Sequence, residues 1–75
     1  MQTSTTRKIA AGWYELIAAD GRRFEAELIQ SVDSMMRGWW NLFEAPDPDG
    51  IDREWCDDFR TLRDAKAAVA RIPAS

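Results

Sequence analysis

The sequence predicts an α+β fold: an antiparallel sheet of three or four strands in meander order, with one C-terminal helix packed on one face. Three observations carry this expectation. Short aromatic-rich segments with period-two alternation fill the chain up to Phe59. Turn residues, Asp20-Gly21 and Pro48-Asp49-Gly50 among them, punctuate those segments. Phe59-Arg60-Thr61-Leu62-Arg63-Asp64-Ala65-Lys66 then reads as a strand running straight into a capped helix.

The elements follow in order. Met1 to Lys8 is polar and Thr/Ser-rich, which predicts a frayed tail over 1–8 ahead of a single domain over 9–73. Gly12 to Ala18 and Arg23 to Ile29 read as a hairpin with two competing registers. A two-residue Asp20-Gly21 turn sets Phe24 on the face of Ile17. A three-residue loop with Gly21 in the left-handed conformation instead groups Tyr14, Leu16 and Ala18 with Phe24, Ala26 and Leu28. The other face then holds Trp13, Glu15, Ile17, Arg23, Glu25 and Glu27. The second register separates apolar from charged side chains more cleanly, as a half-buried sheet requires, and is preferred.

Gln30 to Arg37 reads as a loop in which Ser34-Met35-Met36 can form a helical turn. Gly38 to Glu44 is the third strand, with Trp39, Asn41 and Phe43 on one face and Trp40 and Leu42 on the other. Ala45 to Asp52 is a turn built on Pro46, Pro48 and Asp49-Gly50. Glu54 to Phe59 reads as a short fourth strand with Trp55 and Phe59 inward and Cys56 outward. In the helix, Thr61 is the N-cap and Asp64 its third-position partner. Leu62, Ala65, Val69 and Ile72 form one apolar stripe, and Pro73 stops the run. The expected core is Tyr14, Leu16, Phe24, Ala26, Leu28, Phe59, Leu62, Ala65, Val69 and Ile72, with one alternating set from the third strand.

Seventy-five residues allow one domain. A chain this short buries only ~60% of its unfolded surface and needs reinforcement. Cys56 is the single cysteine, so an intrachain disulfide is excluded, and with no histidine, His-based zinc sites and His acid–base catalysis are excluded too. Aromatic bulk remains: Trp13, Tyr14, Phe24, Trp39, Trp40, Phe43, Trp55 and Phe59, each able to bury ~150–250 Å². The polar start has no apolar signal-peptide segment, and no apolar run approaches the ~18 residues of a membrane span. With the lone cysteine, these features predict a cytoplasmic protein without membrane partners. The net charge of −3 argues against non-specific nucleic-acid binding. Charge is uneven, however: Glu44 to Asp58 holds seven acids against Arg53 alone, whereas Arg60 to Arg71 holds four bases against Asp64 alone.

No catalytic constellation emerges. Asp47, Asp49, Asp52 and Glu54 are oxygen ligands close together, but their spacing does not match a calcium loop, and a solvated turn explains them. Glu54, Asp57 and Asp58 lack the pocket that two-carboxylate catalysis needs. Acidic neighbours raise the pKa of Cys56 and blunt it as a nucleophile. Neither an enzyme nor a cofactor is expected. Adjacent Trp39 and Trp40 point to opposite faces of a strand, so one lies under the helix and the other on the uncovered face with Trp13 and Ile17. An exposed patch of that kind marks an interface. A non-catalytic protein-binding module is therefore expected, with another protein or a second copy as partner and Trp13, Ile17, Trp39 and Trp40 as candidate contacts. The alternative is nucleic-acid binding through Arg60, Arg63, Lys66 and Arg71, aided by aromatic stacking. A third reading uses Glu44 to Asp58 as an acidic DNA mimic.

The strand-and-helix order ending in Phe59, Thr61 and Ala65 resembles the small three-stranded N-terminal DNA-binding domain of tyrosine integrases and the related AP2 domain. That resemblance implies DNA reading from the exposed sheet face. Here the strands carry Glu15, Glu25, Glu27 and Glu44 where the integrase domain carries Arg and Lys. The lysine-poor, Ala-, Asp- and Arg-rich style, with Gly12-Trp13-Tyr14, Asp20-Gly21-Arg22 and Thr61-Leu62-Arg63-Asp64-Ala65-Lys66, is similar to small accessory proteins of phages that infect actinobacteria. That likeness implies binding to a host protein in the host cytoplasm and supplies no site residues.

Overall fold

The computed structural model describes residues 4–46 and 52–74. Five strands, β1 (Thr5–Ala10), β2 (Trp13–Ile17), β3 (Arg23–Leu28), β4 (Trp40–Glu44) and β5 (Glu54–Phe59), precede one helix, α1 (Leu62–Ala70). The strands form one antiparallel sheet in the order β1-β2-β3-β4-β5. The fold is thus α+β with a C-terminal helix, and the sheet has one or two more strands than the sequence predicted.

The additional strand is β1, which corrects the expectation of a tail ending at Lys8. Thr5, Thr6 and Ile9 are β-branched and favour extended backbone. Gly12, at φ 75, turns the chain into β2, and its carbonyl accepts the Leu28 N–H at 2.8 Å. A side chain there would displace the Gln30 amide, 2.7 Å away, and crowd Leu28 Cβ at 3.2 Å, so φ is the stronger reason for glycine.

The β2–β3 hairpin adopts the preferred register. Gly21 N–H donates to the Ala18 carbonyl at 2.9 Å, and Ala18 N–H to the Arg22 carbonyl at 2.8 Å. Gly21 takes φ 93, closing a three-residue loop. Leu16 thereby faces Phe24, and Tyr14 faces Ala26. The 29–39 loop closes with Gly38 at φ 90, and Ser34 Oγ accepts the Met36 N–H in the expected turn.

Leu16, Ala18, Phe24, Ala26, Leu42, Ala65 and Val69 form the buried cluster, with Tyr14, Trp40, Phe59, Leu62 and Ile72 packed against it. Leu28 is half-buried outside that cluster. The alternating set that β4 contributes is Trp40 and Leu42. Helix α1 lies over this face. Thr61, in extended backbone, accepts the Asp64 N–H at 3.1 Å as its N-cap, and Arg71 is the C-cap. No helix among the described residues is long and apolar enough to cross a membrane.

The pairing of β5 departs from simple alternation. Leu42 faces Asp57 and Phe43 faces Trp55, so Cys56 is an extra residue in a bulge. The extra residue places Phe59 on the helix side and Trp55 on the opposite side, where it is 56% exposed. The expectation that both aromatics point inward is corrected accordingly.

Candidate protein-docking edge

The sheet face away from α1 was expected to be an open apolar patch. It is closed by ion pairs instead. The preferred register sets Glu15 directly opposite Glu25, a repulsive cross-strand pair unless cations intervene. Arg23 supplies one, binding Glu15 at 2.6 Å and Glu25 at 2.8 Å. Arg53 supplies another, bridging Glu25 at 3.2 Å and Glu27 at 2.5 Å while stacking 4.0 Å from the Phe43 ring centroid. Arg7 binds Glu15 at 3.2 Å from the outermost strand. Trp13 Nε1 donates to Glu25 at 3.0 Å, and Glu25 itself is only 1% exposed. The carboxylate at the middle of this face is therefore buried, neutralised by two arginines and hydrogen-bonded by the Trp13 indole.

This network sets the acid response. The hydrogen bond from Arg23 holds Glu15 below its ordinary value of 4.5, against the opposing effect of burial. Burial would push Arg23 down, but hydrogen bonds to Glu15 and Glu25 prevail and raise it. The hydrogen bond to Glu27 raises Arg53. For a depressed carboxylate, the stabilisation is complete above the unfolded value and is lost as pH falls through the folded one. Denaturant unfolding at a series of pH values is expected to show stability falling as pH drops through and below 4.5. The fall should be shallower in Glu15→Gln.

The four tryptophans are dispersed. Trp13 stays on the uncovered face, half-buried through its bond to Glu25, and Ile17 lies half-buried there opposite Thr5 and Arg23. Trp40 lies under the helix between Leu28 and Phe59, edge-on to Tyr14 with ring centroids 5.8 Å apart. Trp39, just ahead of β4, has the Arg60 guanidinium 5.3 Å from its ring centroid. Trp13, Ile17, Trp39 and Trp40 thus do not form one patch. Trp55, expected to point inward, is the exposed tryptophan, and Asp58 accepts its indole N–H at 3.1 Å.

Exposed features converge on β5. Its outer edge has no neighbouring strand among the described residues, and Glu54 to Asp57 are exposed. On the helix side, two adjoining grooves of about 350 Å³ each run between β5 and α1 and share Phe59 and Ala68. Trp39, Arg60, Asp64 and Arg71 line the first of them. Cys56, Asp57, Val69 and Ile72 line the second, with Arg22 and Glu44 at its rim. On the opposite side of the edge stands Trp55. An extended partner strand has unpaired backbone, a furrow for one set of side chains and an indole for the other.

Of the four basic residues, Arg60 and Arg71 share the furrow with Asp58 and Asp64, whereas Arg63 and Lys66 do not line it. Cys56 is exposed as a residue, yet partial covering of its thiol raises its pKa, and Glu44 and Glu54 add to the rise. The turn residues Asp47, Pro48, Asp49 and Gly50, on which the calcium reading and much of the acidic-mimic reading rest, lie outside the described residues. Comparison with protein-family models, curated proteins and solved structures finds no match, so the likenesses to the integrase or AP2 domain and to phage accessory proteins stay at the level of the sequence segments that suggested them.

Proposed function

We propose that this chain is a small non-catalytic protein-binding module that takes an extended segment of its partner along β5. The observation that carries this reading is the exposed edge of β5, which no strand among the described residues pairs, flanked by the α1 furrow and by Trp55. Strand addition supplies affinity through main-chain hydrogen bonds and specificity through alternate side-chain pockets. The uncovered sheet face is a poorer site, because opening it would strip partners from the buried Glu25.

Nucleic-acid binding draws support from Arg60 over Trp39, an arrangement suited to base stacking. Asp64 in the same groove repels phosphate, and the chain is net negative. We rank this reading second.

The test is calorimetric titration with extended hexapeptides in which valine alternates with lysine, glutamine or glutamate. At least one peptide should bind, lose measurable binding to Ala68→Trp, which fills the furrow, and bind Trp55→Ala more weakly. Binding that survives Ala68→Trp, or no binding by any peptide, contradicts the proposal.

A further inference from the structure

The two edges of the sheet differ in charge in a complementary way. β5 carries Glu54, Asp57 and Asp58 and no base, whereas β1 carries Arg7 and Lys8 and no acid. Both edges are solvent-exposed, and Lys8 has no acidic partner among the described residues. The register assigns the charges to matching faces. Lys8, opposite Tyr14, and Asp57, opposite Leu42, lie on the helix side. Arg7, opposite Glu15, and Asp58, opposite Asn41, lie on the other.

From this juxtaposition we infer that β5 of one copy docks β1 of a second copy, with Lys8 opposite Asp57 and Arg7 within diagonal reach of Asp58. The inference rests on the docking reading above and names the partner. With both copies in one orientation, β1 runs parallel to β5, and both helices cover the same face of a continued sheet. The like-with-like alternatives are disfavoured: β5 against β5 sets acids against acids, and β1 against β1 sets bases against bases. The contact is head-to-tail, so further copies add until the assembly closes or extends. Asp57 now accepts the outward N–H of Asp58 at 2.8 Å. A lysine drawn to Asp57 releases that donor for the incoming strand, which couples the ion pair to the backbone pairing.

Analytical ultracentrifugation of the full chain over a range of concentrations and salt tests this. The chain should associate as concentration rises, and less so in high salt, because exposed ion pairs are screened. Lys8→Glu and Asp57→Lys should each remain monomeric, and their equimolar mixture should associate again, since each then meets an opposite charge. A wild-type chain that stays monomeric at its highest soluble concentration overturns the inference. Single variants that associate like wild type, or a mixture that stays monomeric, overturn it as well. A synthetic peptide of residues 4–11 separates the two levels of the argument. If it binds at β5 while the chain stays monomeric, self-association fails and the docking reading stands. If the hexapeptides also fail, both fall.

Discussion

Replacing Glu25 with alanine is expected to cost about 3 kcal/mol, the low end of what removing one member of a buried ion pair costs. The low end applies because Arg23 retains Glu15 and Arg53 retains Glu27. Trp13 Nε1 loses its acceptor outright. A chain of this length has a total stability of roughly 4–11 kcal/mol at 0.05–0.15 kcal/mol per residue, so the loss is a large share. Glu25→Gln keeps the volume and an acceptor for Trp13 and should cost about half as much, in keeping with a charge-assisted hydrogen bond being about twice a neutral one. Urea unfolding of the three proteins measures both values. Equal stability of Glu25→Ala and wild type would mean that the uncovered face is not held by this network.

The adjacent tryptophans should separate just as sharply. Trp40→Ala removes a ring packed on Tyr14 and on the core beneath α1, and about 3–5 kcal/mol is expected from loss of so large a side chain. Trp39→Ala removes a half-buried ring whose named partner is Arg60, a contact worth about 0.5–1 kcal/mol at an exposed position. Thermal unfolding should place Trp40→Ala far below wild type and Trp39→Ala close to it. The reverse order would place the wrong indole under the helix.

Much of the fold was legible because local and global signals agreed. Thr61, Asp64 and the Leu62-Ala65-Val69-Ile72 stripe specify α1 from its own residues. The hairpin register followed from one requirement, that Leu16 and Phe24 share a face free of Glu15 and Glu25. Strand β1 was missed because an exposed edge strand buries little and reads like any polar tail. The Cys56 bulge has no residue marker, so Trp55 was assigned to the wrong face. The site was less legible still. Glu15 opposite Glu25 did signal a need for cations, and Arg23 was in plain view. Arg53, however, lies 28 residues from Glu25 and enters only once the whole sheet is assembled. Without Arg53, the face around Trp13 and Ile17 looks open. With it, the open feature of the molecule is the edge of β5.

Residue-by-residue amide exchange, read by NMR with and without the tightest-binding hexapeptide, tests strand docking most directly. The outward N–H of Asp58, held in the unbound chain only by the Asp57 carboxylate, should gain protection on binding, while the amides of β2 and β3 are unchanged. Protection gained on β1 instead, or chemical-shift changes confined to Trp13, Ile17 and Phe43 with β5 unaltered, would contradict docking at β5.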